Sequence, residues 1–161
     1  MEHGAIVRVY RSEDQDSVKR CIVELQNFER ALEPDRVEGE LVVERNFQEL
    51  QEAHSENTGR LFVAEVEGDV VGFINVRFEH ESQTYLSSLV DYAYISDIVV
   101  LAEYRGRGIG TLLLQQAEAF ARQQGANTLK IGVLAKNKQA ADVYQHVGFR
   151  PYEIVMLKDL V

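Results

Sequence analysis

Cysteine is almost absent: Cys21 is the only one in 161 residues. That excludes an internal disulfide and any zinc site built from several cysteines. Long apolar runs are missing too. The longest, such as Ile98–Ala102, are four or five residues, against the roughly 20 that a membrane helix needs. Met1–Tyr10 has neither the basic start nor the apolar stretch of a secretory signal, so a cytoplasmic protein is expected. No His-x-x-x-His or His/Cys spacing occurs, and no metal site is expected. Positive charge has its own gap. From Phe78 to Tyr104 there is no Lys or Arg, yet Glu79, Glu81, Asp91, Asp97 and Glu103 stand there.

That gap belongs to a wider asymmetry. The formal net charge is −9 overall, with 22 Asp/Glu and 9 Lys/Arg in residues 1–104, whereas residues 105–161 carry 8 Lys/Arg and 4 Asp/Glu. One part suits an anion and the other a cation. The bulk acidity argues against nonspecific nucleic-acid binding, which needs a broad cationic footprint. The length fits one domain over residues 1–161 with a real core.

The periodicity predicts the element order β-α-α-β-β-β-α-β-α-β. Ala5–Arg11 alternates as a strand, and Ser12-x-x-Gln15 resembles a capping box at the start of a helix. Val18, Cys21, Ile22, Leu25 and Phe28 form that helix's apolar stripe, which makes Cys21 a core thiol. A second helix is expected over Glu40–His54. Arg60–Val66 and Val70–Phe78 flank a turn at Glu67-Gly68-Asp69. Val90–Leu101 reads as a long strand and Gly106–Gln124 as a helix with Gly125 past its end. Thr128–Ala135 is expected as a strand, Asn137–Val147 as a helix and Phe149–Lys158 as a closing strand. Early hairpins and late crossovers imply a mixed α/β sheet flanked by helices.

The stretch Tyr104-Arg105-Gly106-Arg107-Gly108-Ile109-Gly110 lies between that long strand and the following helix. Free amides and the dipole at a helix N-terminus favour an anion. Glycines let the amides approach closely, and Arg105 and Arg107 add charge. The Gly-Lys-Ser/Thr ending of a Walker loop is missing, and the glycine spacing is not the dinucleotide fingerprint. The local residues alone leave a loose turn and a phosphate cradle both open.

Arg105-Gly106-Arg107-Gly108-Ile109-Gly110 resembles the R/Q-x-x-G-x-G/A signature of the GCN5-related N-acetyltransferases (GNAT). Asn137 followed seven residues later by Tyr144, then Gly148-Phe149, is similar to the family's second pattern. Ala102 departs from a frequent proline. The resemblance implies a single GNAT-like domain, with a mixed sheet of about six to seven strands and about four helices. It implies acetyl-CoA as acyl donor, its pyrophosphate on Arg105, Gly106, Arg107, Gly108, Ile109 and Gly110. Main-chain groups of Ile98, Val99 and Val100 would hold the pantetheine arm, and one amide could polarise the thioester carbonyl. Asn137 would contact the same arm and also cap its helix. Tyr144 would give a proton to the departing thiolate, since a phenol near pKa 10 can support a thiolate near 8.5.

The acceptor side is less defined. The position five residues before Asn137, where some members carry a glutamate base, is Gly132. Asp97, a charge inside an apolar strand, is then the best remaining candidate for the catalytic base, the alternative being a strand carboxylate that faces solvent or pairs with an arginine. Glu29, Glu33, Glu79, Glu81, Asp91, Tyr85, Tyr92 and Tyr94 are candidates to line a pocket for a cation. The expected activity is N-acetylation of a primary amine, on a cationic small molecule or peptide, by direct attack. No membrane or nucleic-acid partner is expected, and a homodimer is consistent with the resemblance. A non-catalytic acyl-CoA-binding module on the same fold is the alternative.

Overall fold

In the computed structural model, which describes residues 4–81 and 91–161, five strands and four longer helices follow the expected order. Ile6–Val9 forms β1, and a short 3₁₀ turn, Ser12–Asp14, leads into α1, Gln15–Leu32. The expected Ser12/Gln15 box is not what fixes this start. Asp14 does so, accepting the Arg11 backbone N–H at 2.8 Å and both Arg8 guanidinium nitrogens at 2.7 and 2.9 Å. Arg8 also reaches Glu65 at 2.7 Å and so ties α1 to β2. The pairing holds the Asp14 carboxyl below its ordinary range.

Helix α2 is Gly39–Ser55, β2 is Gly59–Val66 and β3 is Asp69–His80. Between β2 and β3 only Glu67 and Gly68 turn the chain, both at positive φ (52° and 91°), as a type I′ hairpin requires. Strand β4 is Asp91–Val100, α3 is Ile109–Gln123, β5 is Leu129–Ile131 and α4 is Lys138–His146. Gly125, at φ 84°, ends α3 as expected.

The sheet runs β1-β2-β3-β4-β5; its first four strands are antiparallel, and β5 lies parallel to β4. One face packs Leu61, Val63, Phe73, Val99 and Leu101 against Val18, Cys21 and Ile22 of α1 and Phe47 and Leu50 of α2. The other face packs Phe62, Ile74, Val76 and Ile95 against Ile109, Leu113, Ala117 and Phe120 of α3. Each apolar set follows the period of its element, two in the strands and 3.6 in the helices. Cys21 is fully buried, and burial pushes its thiol to about 12. It is an inert core residue, as expected.

Two expectations fail at the C-terminal end. Thr128–Ala135 is a strand only over Leu129–Ile131, and Phe149–Lys158 forms no strand. The described sheet therefore has five strands rather than six or seven. An extended segment becomes a strand only when a partner takes its N–H and C=O groups. Among the described residues no such partner faces 150–161.

Candidate active site

Strand β4 is paired differently on its two edges. Strand β3 accompanies it from Asp91 to Val100, whereas β5 meets it only at Ala93, Tyr94 and Ile95. Beyond Ile95 that pairing ends, and the edge of β4 from Ser96 to Val100 has no strand neighbour among the described residues. Ile98, Val99 and Val100 occupy this edge. Val99 is buried in the α1/α2 core, while Ile98 and Val100 pack on the α3 side.

The glycine turn follows at the end of β4. Gly106 and Gly108 take φ of 76° and 79°, the left-handed region that side chains avoid. A Cβ on Gly106, Gly108 or Gly110 would meet nothing within 4 Å. These glycines therefore serve conformation and open space rather than close packing. The first i→i−4 bond of α3 runs from Leu112 N–H to Gly108 C=O at 3.1 Å. The amides of Ile109, Gly110 and Thr111 precede it and face the helix entrance. Ile109 itself is a core side chain. The turn thus fits a pyrophosphate.

The two arginines of the turn part company. Arg105 donates from Nε to the Val100 carbonyl at 2.8 Å and from Nη2 to Glu24 at 3.2 Å, with Phe28 beneath it. Glu24 also accepts the Ala102 amide at 2.6 Å. Arg105 therefore clamps the end of β4 to α1. Arg107 is exposed, lies over the Tyr104 ring and bonds the Glu103 carbonyl at 3.0 Å. Tyr104, which has no assignable task in the sequence, is that platform and also touches both cores.

Across the gap, Asn137 caps α4: its side chain accepts the Ala140 amide at 3.2 Å. Lys136 reaches the Leu32 carbonyl at 3.2 Å and Glu33 at 3.3 Å, joining this loop to the end of α1. Tyr144 is half-buried with its ring against Phe149. Burial, with Glu29 adding a negative field, pushes its phenol to about 12. It keeps its proton at neutral pH and can donate it.

Asp97 is positioned by a bulge. Asn75 of β3 faces Asp97 while the next residue, Val76, faces Ile95, so Ser96 is the extra residue in β4. Asn75, fully buried, donates from Nδ2 to Ser96 Oγ at 2.8 Å, and that hydroxyl donates to Asp97 Oδ2 at 2.6 Å. Burial raises the Asp97 carboxyl, outweighing the Ser96 bond and the field of Arg77 that lower it, and Glu49 adds to the rise. Glu29, salt-bridged to Arg36 at 2.8 Å, is likewise raised by burial and feels Asp97. Helix α1, β4 and α4 thus bring Glu29, Asp97 and Tyr144 into one electrostatic neighbourhood.

Asn75, Ser96 and Glu24 escape the sequence reading. For Asn75 the signal is visible: a polar residue in Val70–Val76, the same anomaly that singles out Asp97. Of the acceptor candidates, Glu33 pairs with Lys136, Asp91 pairs with His80 at 2.7 Å, and Tyr92 lies under Lys130 at 3.9 Å. Tyr85 lies outside the described residues. A cleft of about 310 Å³ between α2 and β3 is lined by Glu49, Glu52, Glu56, Glu79, Arg77 and Phe78 among others. Among the described residues no cluster of His, Cys, Asp and Glu could hold a metal, and no helix is long and apolar enough to cross a membrane.

The profile of the acetyltransferase (GNAT) family matches residues 23–149, which includes the gap, the glycine turn, Asn137 and Tyr144. The chain belongs to the GNAT family. An N-alpha-acetyltransferase of Sulfurisphaera tokodaii is 36% identical over 97 residues, 58% of this chain. The aligned stretch also spans only 58% of that relative's length. A thialysine N-epsilon-acetyltransferase of Mus musculus is 28% identical over 145 residues, 88% of this chain and 82% of its own. The GNAT fold is shared with AAC(6')-Iy, solved with the bisubstrate analogue CoA-S-monomethyl-acetylneamine. That match has a TM-score of 0.72 at 17% identity and covers 97% of each chain.

Proposed function

We propose that this GNAT chain is an acetyl-CoA-dependent N-acetyltransferase acting on a primary amine of a cationic small molecule or peptide. The observation that carries the reading is the end of the β4–β5 pairing beyond Ile95, with the open glycine turn after β4. Main-chain groups of Ile98, Val99 and Val100 would hold the pantetheine arm. The amides at the start of α3, with Arg107, would hold the pyrophosphate. Arg105 would act mainly by fixing the turn. Bound acetyl-CoA would supply the activated acetyl group.

The remaining tasks fall to this chain's side chains. An ammonium must lose a proton before its nitrogen can attack. Asp97 is the group proposed to take it, directly or through one water. Its raised carboxyl is a better base near neutral pH than an exposed aspartate. The Asn75–Ser96 chain fixes its orientation. Tyr144 is proposed to donate its proton to the leaving thiolate, and its raised phenol makes loss of that proton to bulk water unfavourable. Glu29, with the acidic cleft of Glu49, Glu52, Glu56 and Glu79, supports a cationic acceptor. The named relatives act on amines according to their names, and the solved neighbour holds an analogue joining CoA to an acetylated neamine derivative.

Release of free CoA thiol over a panel of amines tests this reading. Turnover is expected with acetyl-CoA and at least one cationic primary amine, and not with anionic ones. Tight acetyl-CoA binding without turnover on any amine would replace the enzyme by an acyl-CoA-binding module.

A further inference from the structure

Gly132 has a glycine's side chain without a glycine's backbone. It is not among the glycines at positive φ, so no turn requires it. A Cβ built on it would stand 3.0 Å from the Tyr94 hydroxyl oxygen, and apart from its chain neighbours no other atom would lie within 4 Å. Such a contact would push the phenol aside by a few tenths of an ångström. The missing side chain therefore serves one purpose in this structure, which is to leave room for that hydroxyl.

Strand register explains how the two meet. Tyr94 pairs with Lys130 of β5 and with Arg77 of β3. Its neighbours Ala93 and Ile95 point into the α3 core, so Tyr94 points to the opposite face, the one that α1 and α2 cover. Gly132 follows Ile131, the partner of Ile95, and counting on from that pair it stands level with Ser96. The phenol thus leans past its own partner Lys130, toward the place where the β4–β5 pairing ends. Tyr94 and Asp97 are three residues apart, an odd step that in a regular strand puts side chains on opposite faces. The extra residue Ser96 cancels it. Val99 lies in the α1/α2 core, so Asp97, two residues before it, shares the face of Tyr94. One bulge and one missing side chain bring a hydroxyl and a buried carboxylate to one face at neighbouring levels.

The hydroxyl is also unengaged. Among the described residues it takes part in no hydrogen bond, and it is not one of the buried polar atoms left without a partner, so it stays accessible. We propose that the Tyr94 hydroxyl receives the acceptor, accepting one N–H of the primary amine and holding the nitrogen beside Asp97, and that Gly132 is the positioning residue that gives the hydroxyl its place. The proposal rests on the reading of this site as that of an amine acetyltransferase. The contact is through the oxygen at the edge of the ring rather than over the face of the ring. A primary ammonium has three N–H groups. One proton goes to Asp97, a second N–H is held by Tyr94, and the lone pair left by the first is free to attack.

The test is the binding of Nα-acetyl-lysinamide, a cationic primary amine, to the full chain saturated with CoA, by isothermal titration calorimetry. Tyr94→Phe should raise the dissociation constant of the amine about 10-fold, as loss of one hydrogen bond to a charged group does. The affinity for CoA and the Tm should stay as they are. Gly132→Ala should raise the amine constant about 3-fold by displacing the hydroxyl, and should change nothing in the Tyr94→Phe background. A glycine with a merely structural role would not show that dependence. Failure of the amine to bind the unsubstituted chain, an amine affinity indifferent to Tyr94→Phe, a Gly132→Ala effect as large without the hydroxyl as with it, or a loss of CoA affinity in place of amine affinity would each overturn the proposal. Binding is read without turnover. A chain that binds the amine through Tyr94 and releases no CoA from acetyl-CoA would therefore fail as an enzyme and keep this contact.

Discussion

Strand β4 and the C-terminal segment break the same rule in opposite directions. Strand β4 keeps a serine and a carboxylate inside the fold, where burial raises Asp97. The segment 154–157 keeps four apolar side chains outside it. The first is compensated locally, since the bulge at Ser96 lets Asn75 and Ser96 organise the carboxylate. The second has no compensation among the described residues. A buried carboxylate thus marks where chemistry is proposed, and an exposed apolar run is the opposite departure from burial by polarity.

The active-site side of this comparison is expected to break most severely at the proposed proton donor. Tyr144→Phe is expected to lower kcat by about 10² to 10³ with the acetyl-CoA KM nearly unchanged. Full turnover would remove Tyr144 from the mechanism. Asp97→Asn should lower kcat by about 10² and flatten the acid limb of the pH–rate profile. It should also raise Tm. A folded carboxyl raised above its unfolded value holds its proton more tightly in the fold. Ionised Asp97 therefore costs stability, increasingly so as pH rises from the unfolded toward the folded value. A falling Tm would show that Asp97 is a structural pair member instead.

The glycine turn gives a smaller effect. Gly108→Ala places a Cβ at φ 79°, and should cost roughly 1–2 kcal/mol of stability. It should raise the acetyl-CoA KM about 10-fold by turning the first amides of α3. The acceptor side gives the smallest. Glu29→Gln should raise the KM of a cationic amine about five-fold and leave that of a neutral one alone. It should also lower the Tyr144 phenol, because Glu29 adds to its rise. Ultraviolet titration, taken as the difference from the matching Tyr144→Phe variant because the chain has seven tyrosines, reads this shift.

Much of the fold was legible because periodicity carries it. The stripe Val18–Cys21–Ile22 and the alternation in β2 and β3 place their side chains without reference to distant residues. The glycine turn, Asn137 and Tyr144 were legible by spacing. Asp97 was legible as an anomaly, but its partners were not. Asn75 and Ser96 meet it only because β3 and β4 pair in one register with one extra residue. Arg105 looked like an anion ligand, yet Glu24 and Phe28, distant in sequence, bind it to α1. Phe149–Lys158 looked like a closing strand of this chain's own sheet, because strand composition says nothing of whether a partner edge lies beside it.

The sequence by itself determined the layers, the glycine turn and the identity of the phenol and the carboxylate proposed to exchange protons. These follow from local conformational preference and from residue chemistry. Only the tertiary structure decided that β4 and β5 stop pairing beyond Ile95, that Arg105 is a clamp and that the apolar C-terminal run lies uncovered. Each of these depends on which distant main-chain groups find one another. Hydrogen-bond pairing between strands is a long-range choice that no window of residues contains.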